Sequence, residues 1–383
     1  MKLKNYRIGD VCSVVKGTYP TQKTPPGMYP LVVTAENRRT AESYQFDTKA
    51  VCVPIVSSTG HGHAAINRIH YQEGKFALAN IMAAIIPDER FCIAKYLYYL
   101  LSIKKDEYLV TLMQGSANVT IDYRRIQDLI LPIPDLDDQG KIVSILDKMQ
   151  KIKHLRKTTI KLGNKLIENI FVRIFGNPQK NEKCWDEATL GDILTEKPTN
   201  GFFKKNEFYG KGVPIVWVES LFDRYVLELN GLRLIDANQK ETDKFKLDRG
   251  DILLCRSSVS TEGIGKMVVV EDLFGPTLFE SHIIKLKVNS SKVLPYFVVG
   301  YYNSTPGRNL ILEKARVSTM TTINQQDVSS LKIFIPKMNL QIKFVEYLGK
   351  TLPMLDAQLR SMELMITTFD SINQRIFNAP LVE

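Results

Sequence analysis

The densest run of short polar side chains is SSTGHGHAAI (57–66), where His61 and His63 stand two residues apart beside Ser57, Ser58 and Thr59. Two imidazoles at that spacing hold a metal only with further ligands, and no acidic or cysteine residue is close by. Built around two glycines, the same string can follow a groove and bond base edges or phosphates, or it can be a plain solvated loop. Glu73-Gly74-Lys75, with Asp47 upstream, matches part of a nuclease metal site and reads equally well as a hairpin turn. TEGIGKM (261–267) lacks most of a phosphate loop and reads as a turn. Neither G-x-x-x-x-G-K-[ST] nor G-x-G-x-x-G after a strand occurs, and nothing resembles a serine or cysteine triad. The Asn/Asp-Pro-Pro-aromatic motif of an adenine methyltransferase is missing too. These searches assign no catalytic residue, no metal ligand and no cofactor to this chain.

Nucleic-acid chemistry is better supplied. Arginine pairs with guanine and Asn or Gln with adenine, while Ser, Thr and Lys fix phosphates. Such residues gather in two sets. The first holds Arg38 and Arg39, then Ser57 to His63 as above, then Arg68, then Gln114, Ser116 and Asn118. The second holds Lys204 and Lys205, then Arg256, Ser257 and Ser258, then Arg316, Ser318, Thr319 and Thr321. A net charge of +10 favours a polyanionic partner. The five cysteines form no C-x-x-C pair, and the first ten residues, MKLKNYRIGD, hold no apolar signal core. No apolar run is long enough to span a bilayer, so a cytoplasmic protein is expected.

The elements that must position these sets are written twice. YRIGDVCSVVKGTYPT (6–21) is answered by ATLGDILTEKPTNGF (188–202), and FDTKAVCVPIVSS (46–58) by LDRGDILLCRSS (247–258). The helix-like AKYLYYLLS (94–102) is answered by LPYFVVGYYNS (294–304), and QGSANVT (114–120) by RVSTMTT (316–322). Each half closes on an apolar strand and a shared junction, LPIPDLDDQGKIVSIL (131–146) and FIPKMNLQIKFVEYL (334–348), in which Gln139 meets Gln341 and Leu146 meets Leu348.

Beyond each junction the apolar period becomes helical. Ile142, Ile145, Met149, Ile152, Leu155, Leu162, Leu166, Ile170 and Ile174 mark a stripe on the first helix. Leu348, Leu352, Leu355, Leu359, Met362, Ile366 and Phe369 step by fours and threes on the second, an a/d seam that buries one face against another helix. Pro353 predicts a kink or a fresh start there. Gly176 and Pro178 predict the end of the first helix. The chain is thus expected to be α+β: a first globular domain over 1–137, a long helix over 138–177, a second domain over 178–337 and a second helix over 338–383. Ile145, Met149 and Ile152 would pair with Leu348, Leu352, Leu355, Leu359, Met362 and Ile366 as an antiparallel coiled coil with an internal pseudo-two-fold axis. A basic helical face is usually turned to solvent, but the run Lys148, Lys151, Lys153, Arg156, Lys157, Lys161 and Lys165 could pass close to the DNA backbone or to an acidic partner.

Taken together, the tandem halves, the Pro-Gln-Leu junctions and the string YPLVVTAENRRT (29–40) onward resemble the specificity subunit of type I restriction–modification systems, over essentially the whole chain. The resemblance implies a non-catalytic reader of double-stranded DNA. Each target recognition domain would read one half of a split site, and the paired helices would hold the halves at a fixed distance. It also implies two adenine-N6 methyltransferase subunits as partners, which use S-adenosylmethionine, and a motor-nuclease subunit that joins for restriction in host defence. The alternative is a self-contained restriction or modification enzyme with a divergent active site.

Overall fold

The computed structural model describes residues 2–57, 68–115, 119–259, 261–271, 273–317 and 320–377. It divides into two compact units. One holds residues 1–154 and 363–383, the other residues 155–362. Each long helix gives one part of its length to each unit.

In the first unit the entry strand Leu3–Arg7 pairs antiparallel with the exit strand Ile130–Pro134, Leu3 opposite Pro134. That pairing closes the domain on itself before the long helix begins. The central sheet is antiparallel, in the order Cys12–Lys16, Met82–Pro87, Ala50–Pro54, His70–Gln72. Its middle strands are apolar on both faces, as a sheet covered on both sides requires. Val51, Val53 and Ile85 join the core under the helix Ala94–Ile103 with Leu97 and Leu100. Cys52 and Ala84 join a second core with Phe76 and Leu78. A further sheet runs Arg39–Ala41, Tyr29–Val32, Lys75–Leu78, Phe46–Asp47, with Tyr29–Val32 parallel to Lys75–Leu78.

The second unit repeats this plan. Asp186–Thr189 pairs with Lys332–Ile335. The central sheet runs Thr199–Asn200, Ile283–Leu286, Ile252–Cys255, Met267–Val269. Ile252 and Leu254 face one core, Leu253 and Cys255 the other. Tyr209–Val216 lies parallel to Leu278–Phe279. The paired segments of the sequence therefore occupy equivalent places.

The first long helix is Leu136–Phe175 and the second Met338–Phe377. Gly176 follows the first with φ +85, the left-handed conformation that ends helices. Pro353 does not interrupt the second. Both Pro353 and Gly349, whose carbonyl loses its N–H partner, lie on the exposed side, where water can take that carbonyl.

Within the second unit the two helices touch in antiparallel order. Arg156 Nη1 donates to Gln358 Oε1 at 3.3 Å. A Cβ on Gly163 would stand 2.9 Å from Leu355 Cδ1. Phe171 and Phe344 meet edge to face at 5.3 Å. Leu348, Leu352 and Leu355 are buried, and Leu359 and Met362 pack against the same core. In the first unit Met149 packs on the core that holds Ile142 and Leu146, as do Phe369 and Ile376.

Three expected pairing residues need correction. Ile145 is 45% exposed, Ile152 44% and Ile366 39%. The first helix carries two apolar stripes at helical spacing, and the covered one runs through Ile142, Leu146, Ile160, Ile167, Phe171 and Phe175. Leu155, Leu162 and Leu166 belong to the exposed one. Periodicity shows that a helix has an apolar stripe, but only the partner decides which stripe is covered. Among the described residues no helix is long and apolar enough to cross a membrane.

Candidate nucleic-acid interface

Each unit carries a small three-stranded sheet that brings its candidate loops together. In the first unit Met113–Gln114 pairs with Val119–Ile121, which pairs with Val56–Ser57. In the second, Arg316–Val317 pairs with Thr321–Thr322, which pairs with Ser257–Ser258. Gln114 stands opposite Thr120, which stands opposite Val56. Arg316 stands opposite Thr322, which stands opposite Ser257. Gln114 and Arg316 thus occupy equivalent positions, and both are exposed. Thr321 is buried, and Ser257 nearly so at 8% exposed. Ser257 pairs with Thr322 and Ser258 with Thr321, in the sheet that carries the exposed Arg316 at its other edge.

The other candidates divide by what already holds them. Arg38 is half-buried, with Nε donating to Gln72 Oε1 at 3.1 Å, and burial lowers its pKa. Arg39 donates to the Thr21 carbonyl at 2.7 Å and Arg68 to the Thr34 carbonyl at 3.1 Å, and both remain exposed. Beside them His70 meets the Val33 carbonyl at 3.0 Å, and burial, then Arg38, pushes its pKa down to about 4. Lys205 is exposed.

Lys204 is already held within the fold. Its Nζ lies 2.7 Å from Glu241 Oε2 and 2.7 Å from the Asp236 carbonyl, over the Phe202 and Phe208 rings. Arg256 is half-buried, with Nη1 donating to the Ser281 carbonyl at 3.4 Å. Ser58, Thr59, His61, His63, Ser116, Asn118, Ser318 and Thr319 lie outside the described residues.

Glu73-Gly74-Lys75 is a turn, but not the hairpin turn expected: it links His70–Gln72 in one sheet to Lys75–Leu78 in another. Gly74 has φ +75, Tyr71 donates to Glu73 at 2.6 Å, and Asp47 pairs with Lys75 along the strands. Among the described residues no cluster of His, Cys, Asp and Glu could hold a metal. On the first long helix Lys148, Lys151, Lys153, Lys157, Lys161 and Lys165 are exposed, while Arg156 is held by Gln358.

Sequence reading missed Glu280 and His282. Glu280 Oε2 lies 2.7 Å from His282 Nδ1 and accepts the His282 backbone N–H at 2.8 Å. The signal lay in the repeat: they stand where the first copy has Ala79 and Ile81.

Two copies of one α+β domain, each continued by a 40-residue helix and carrying different side chains on equivalent strands, define a tandem recognition subunit. A family model described as the type I restriction modification DNA specificity domain matches residues 2–162 and again 182–355. The chain belongs to that family and carries its domain twice. It is similar to the StySPI type I restriction enzyme specificity subunit of Salmonella potsdam, 21% identical over 301 residues, covering 75% of this chain and 65% of that protein. It is also similar to the EcoKI specificity subunit of Escherichia coli K12, 22% identical over 290 residues, covering 70% and 58%. The match thus spans less than two thirds of either relative. The type I restriction–modification S subunit of M. genitalium has the same fold, with a TM-score of 0.59 over 98% of this chain and 96% of that one, at 14% identity.

Proposed function

We propose that the chain reads a split target in double-stranded DNA, one half through each recognition domain, and is not itself catalytic. The observation that carries this is the equivalence of Gln114 and Arg316. One scaffold, used twice, presents an amide suited to adenine in one copy and a guanidinium suited to guanine in the other. A chain that read one sequence twice would have no reason to differ there.

The same reading makes the chain a cytoplasmic scaffold for two adenine-N6 methyltransferase subunits, which would supply the S-adenosylmethionine chemistry, and for a motor-nuclease subunit. The exposed apolar residues Ile145, Ile152, Leu155, Leu162 and Leu166 support a protein partner along the first helix.

The test is a selection from randomised duplexes by the full chain with its methyltransferase partners. A motif of two defined halves around an unspecified spacer is expected. Gln114→Ala should alter only one half, and Arg316→Ala only the other. Uniform weakening across all sequences would mark both as phosphate binders. The purified chain alone, with magnesium and S-adenosylmethionine, should neither cut nor methylate DNA, and either activity would overturn the reading.

A further inference from the structure

The two copies make the same backbone contacts at one loop, and there their chemistry departs. Gly17 and Gly201 each pass so close to the opposite chain that a Cβ would stand 2.1 Å from a carbonyl oxygen, that of Ala79 in the first copy and of Glu280 in the second. Ala79 N–H donates to Val32 at 3.0 Å, and Glu280 N–H donates to Val216 at 3.0 Å. Gly17 N–H donates to Met82 at 2.9 Å, and Gly201 N–H to Ile283 at 3.0 Å. The backbone therefore equates Ala79 with Glu280 and Ile81 with His282. The first copy places a fully buried alanine and a core-packed isoleucine at these positions. The second places a carboxylate and an imidazole.

The fold does not require that pair, since Ala79 and Ile81 serve in the same setting, and the carboxylate is unfavourable where it sits. Glu280 is 3% exposed, and its Oε1 has no hydrogen-bond partner. What the carboxylate does is hold a ring. Its Oε2 takes both the backbone N–H and Nδ1 of His282, whose side chain is 46% exposed. A carboxylate at Nδ1 holds the proton on that nitrogen and so fixes the tautomer in which Nε2 can accept a hydrogen bond. The pair also adjoins the candidate interface. Arg256 N–H donates to the His282 carbonyl at 2.8 Å, and Arg256 leads directly into the strand Ser257–Ser258.

We propose that His282, oriented by Glu280, reads one base of the second half-site by accepting a hydrogen bond from an exocyclic amino group in the major groove. Adenine N6 and cytosine N4 are the two such donors, whereas guanine and thymine present acceptor oxygens at the corresponding edge. His282 is then a specificity-determining residue and Glu280 a positioning residue. This deepens the DNA-reading function proposed above and rests on it.

The experiment is duplex selection by the full chain with its methyltransferase partners, comparing wild type with His282→Ile, Glu280→Ala, Glu280→Gln and the double variant E280A/H282I. His282→Ile and the double variant carry residues that the first copy already accommodates, and thermal melting checks that they fold. Wild type should restrict one position of the second half to adenine or cytosine. His282→Ile, Glu280→Ala and the double variant should each relax that position about tenfold, leaving the first half unchanged. Glu280→Gln, whose amide oxygen still accepts the Nδ1 proton, should keep the preference. A split wild-type motif that His282→Ile leaves unaltered overturns this inference alone. Glu280 variants that melt earlier and bind all sequences less, with base preference intact, overturn the role of Glu280. A wild-type chain that selects no split motif overturns the function reading, and this inference with it.

Discussion

The side-chain oxygen of Gln139 accepts the backbone N–H of Ile93 at 2.7 Å. Its Nε2 donates to the carbonyls of Pro134 at 2.8 Å and Phe91 at 2.9 Å, and the residue is fully buried. Gln341 repeats this, with Leu294 N–H at 2.8 Å and the carbonyls of Pro336 at 2.9 Å and Lys292 at 3.2 Å. Ile93 and Leu294 directly precede the helices Ala94–Ile103 and Pro295–Asn303 and cap them without side-chain bonds of their own. One glutamine thus ties the end of a strand, the first turn of a long helix and the start of a domain helix. Replacing Gln139 or Gln341 by Leu keeps the volume and leaves backbone groups unsatisfied. Each such group should cost about 1–3 kcal/mol. Urea unfolding should show a lower midpoint with an unchanged slope for either variant.

Phe171 is 1% exposed and lies against Phe297 at 5.7 Å, Tyr301 at 6.0 Å and Phe344 at 5.3 Å. Gly300 is what admits this cluster, since a Cβ there would stand 2.7 Å from the Phe344 ring and 3.0 Å from that of Phe171. Phe171→Ala should destabilise the second unit by about 3–5 kcal/mol through the cavity it leaves. Gly300→Ala should cost about 1–3 kcal/mol by overpacking, despite its better helix propensity. Calorimetric unfolding of the full chain should show both losses, and a gain for Gly300→Ala would refute the close approach.

The repeat was legible because both copies must bury the same strands, so apolar runs such as 50–54 and 252–255 survive divergence. The junction was legible because Gln139 and Gln341 do the same buried work. The covered face of the first helix was not, because Ile152 and Leu155 look as apolar as Ile160 and Ile167 until a partner is present. The setting of Lys204 was hidden for a related reason. A lysine beside a second lysine suggests a phosphate site, but Glu241 reaches it only through the fold. Glu280 and His282 were missed because the insertions between the copies hide their register, which only the strand pairing restores.

His70 gives the first unit a pH dependence. Its pKa falls from 6.5 to about 4 in the folded state, by burial first and then by Arg38. An unfolded chain takes up the proton below about pH 6.5, and the folded chain resists it until about pH 4. Stability from this group is therefore fully present above pH 6.5 and is lost as pH falls toward 4. Glutamine can still donate to the Val33 carbonyl without titrating. In His70→Gln the urea midpoint should therefore fall less between pH 7 and pH 5 than in the wild type, and an equal fall in both would assign the effect to other groups.

Lys204 and Lys205 are neighbours in sequence and opposites in setting, which makes them a matched test of phosphate contact. Lys204 is bound by Glu241 and the Asp236 carbonyl, so its charge is already countered within the fold. Lys205 is exposed. Each phosphate neutralised by a lysine releases counterions from the duplex, and the logarithm of the affinity falls with the logarithm of salt by about 0.9 per contact. Lys205→Gln should therefore reduce the salt slope of DNA binding by about 0.9, weakening all sequences alike at low salt. Lys204→Gln should leave that slope unchanged and act on stability instead, lowering the melting temperature as Glu241 loses its partner. Measuring the slopes in filter-binding or fluorescence titrations between 50 and 200 mM salt separates the two, since that range is where several phosphate contacts change affinity by orders of magnitude. A reduced slope for Lys204→Gln with an unchanged melting temperature would mean that the ion pair opens on DNA and that the ammonium, not its anchor, is the functional group.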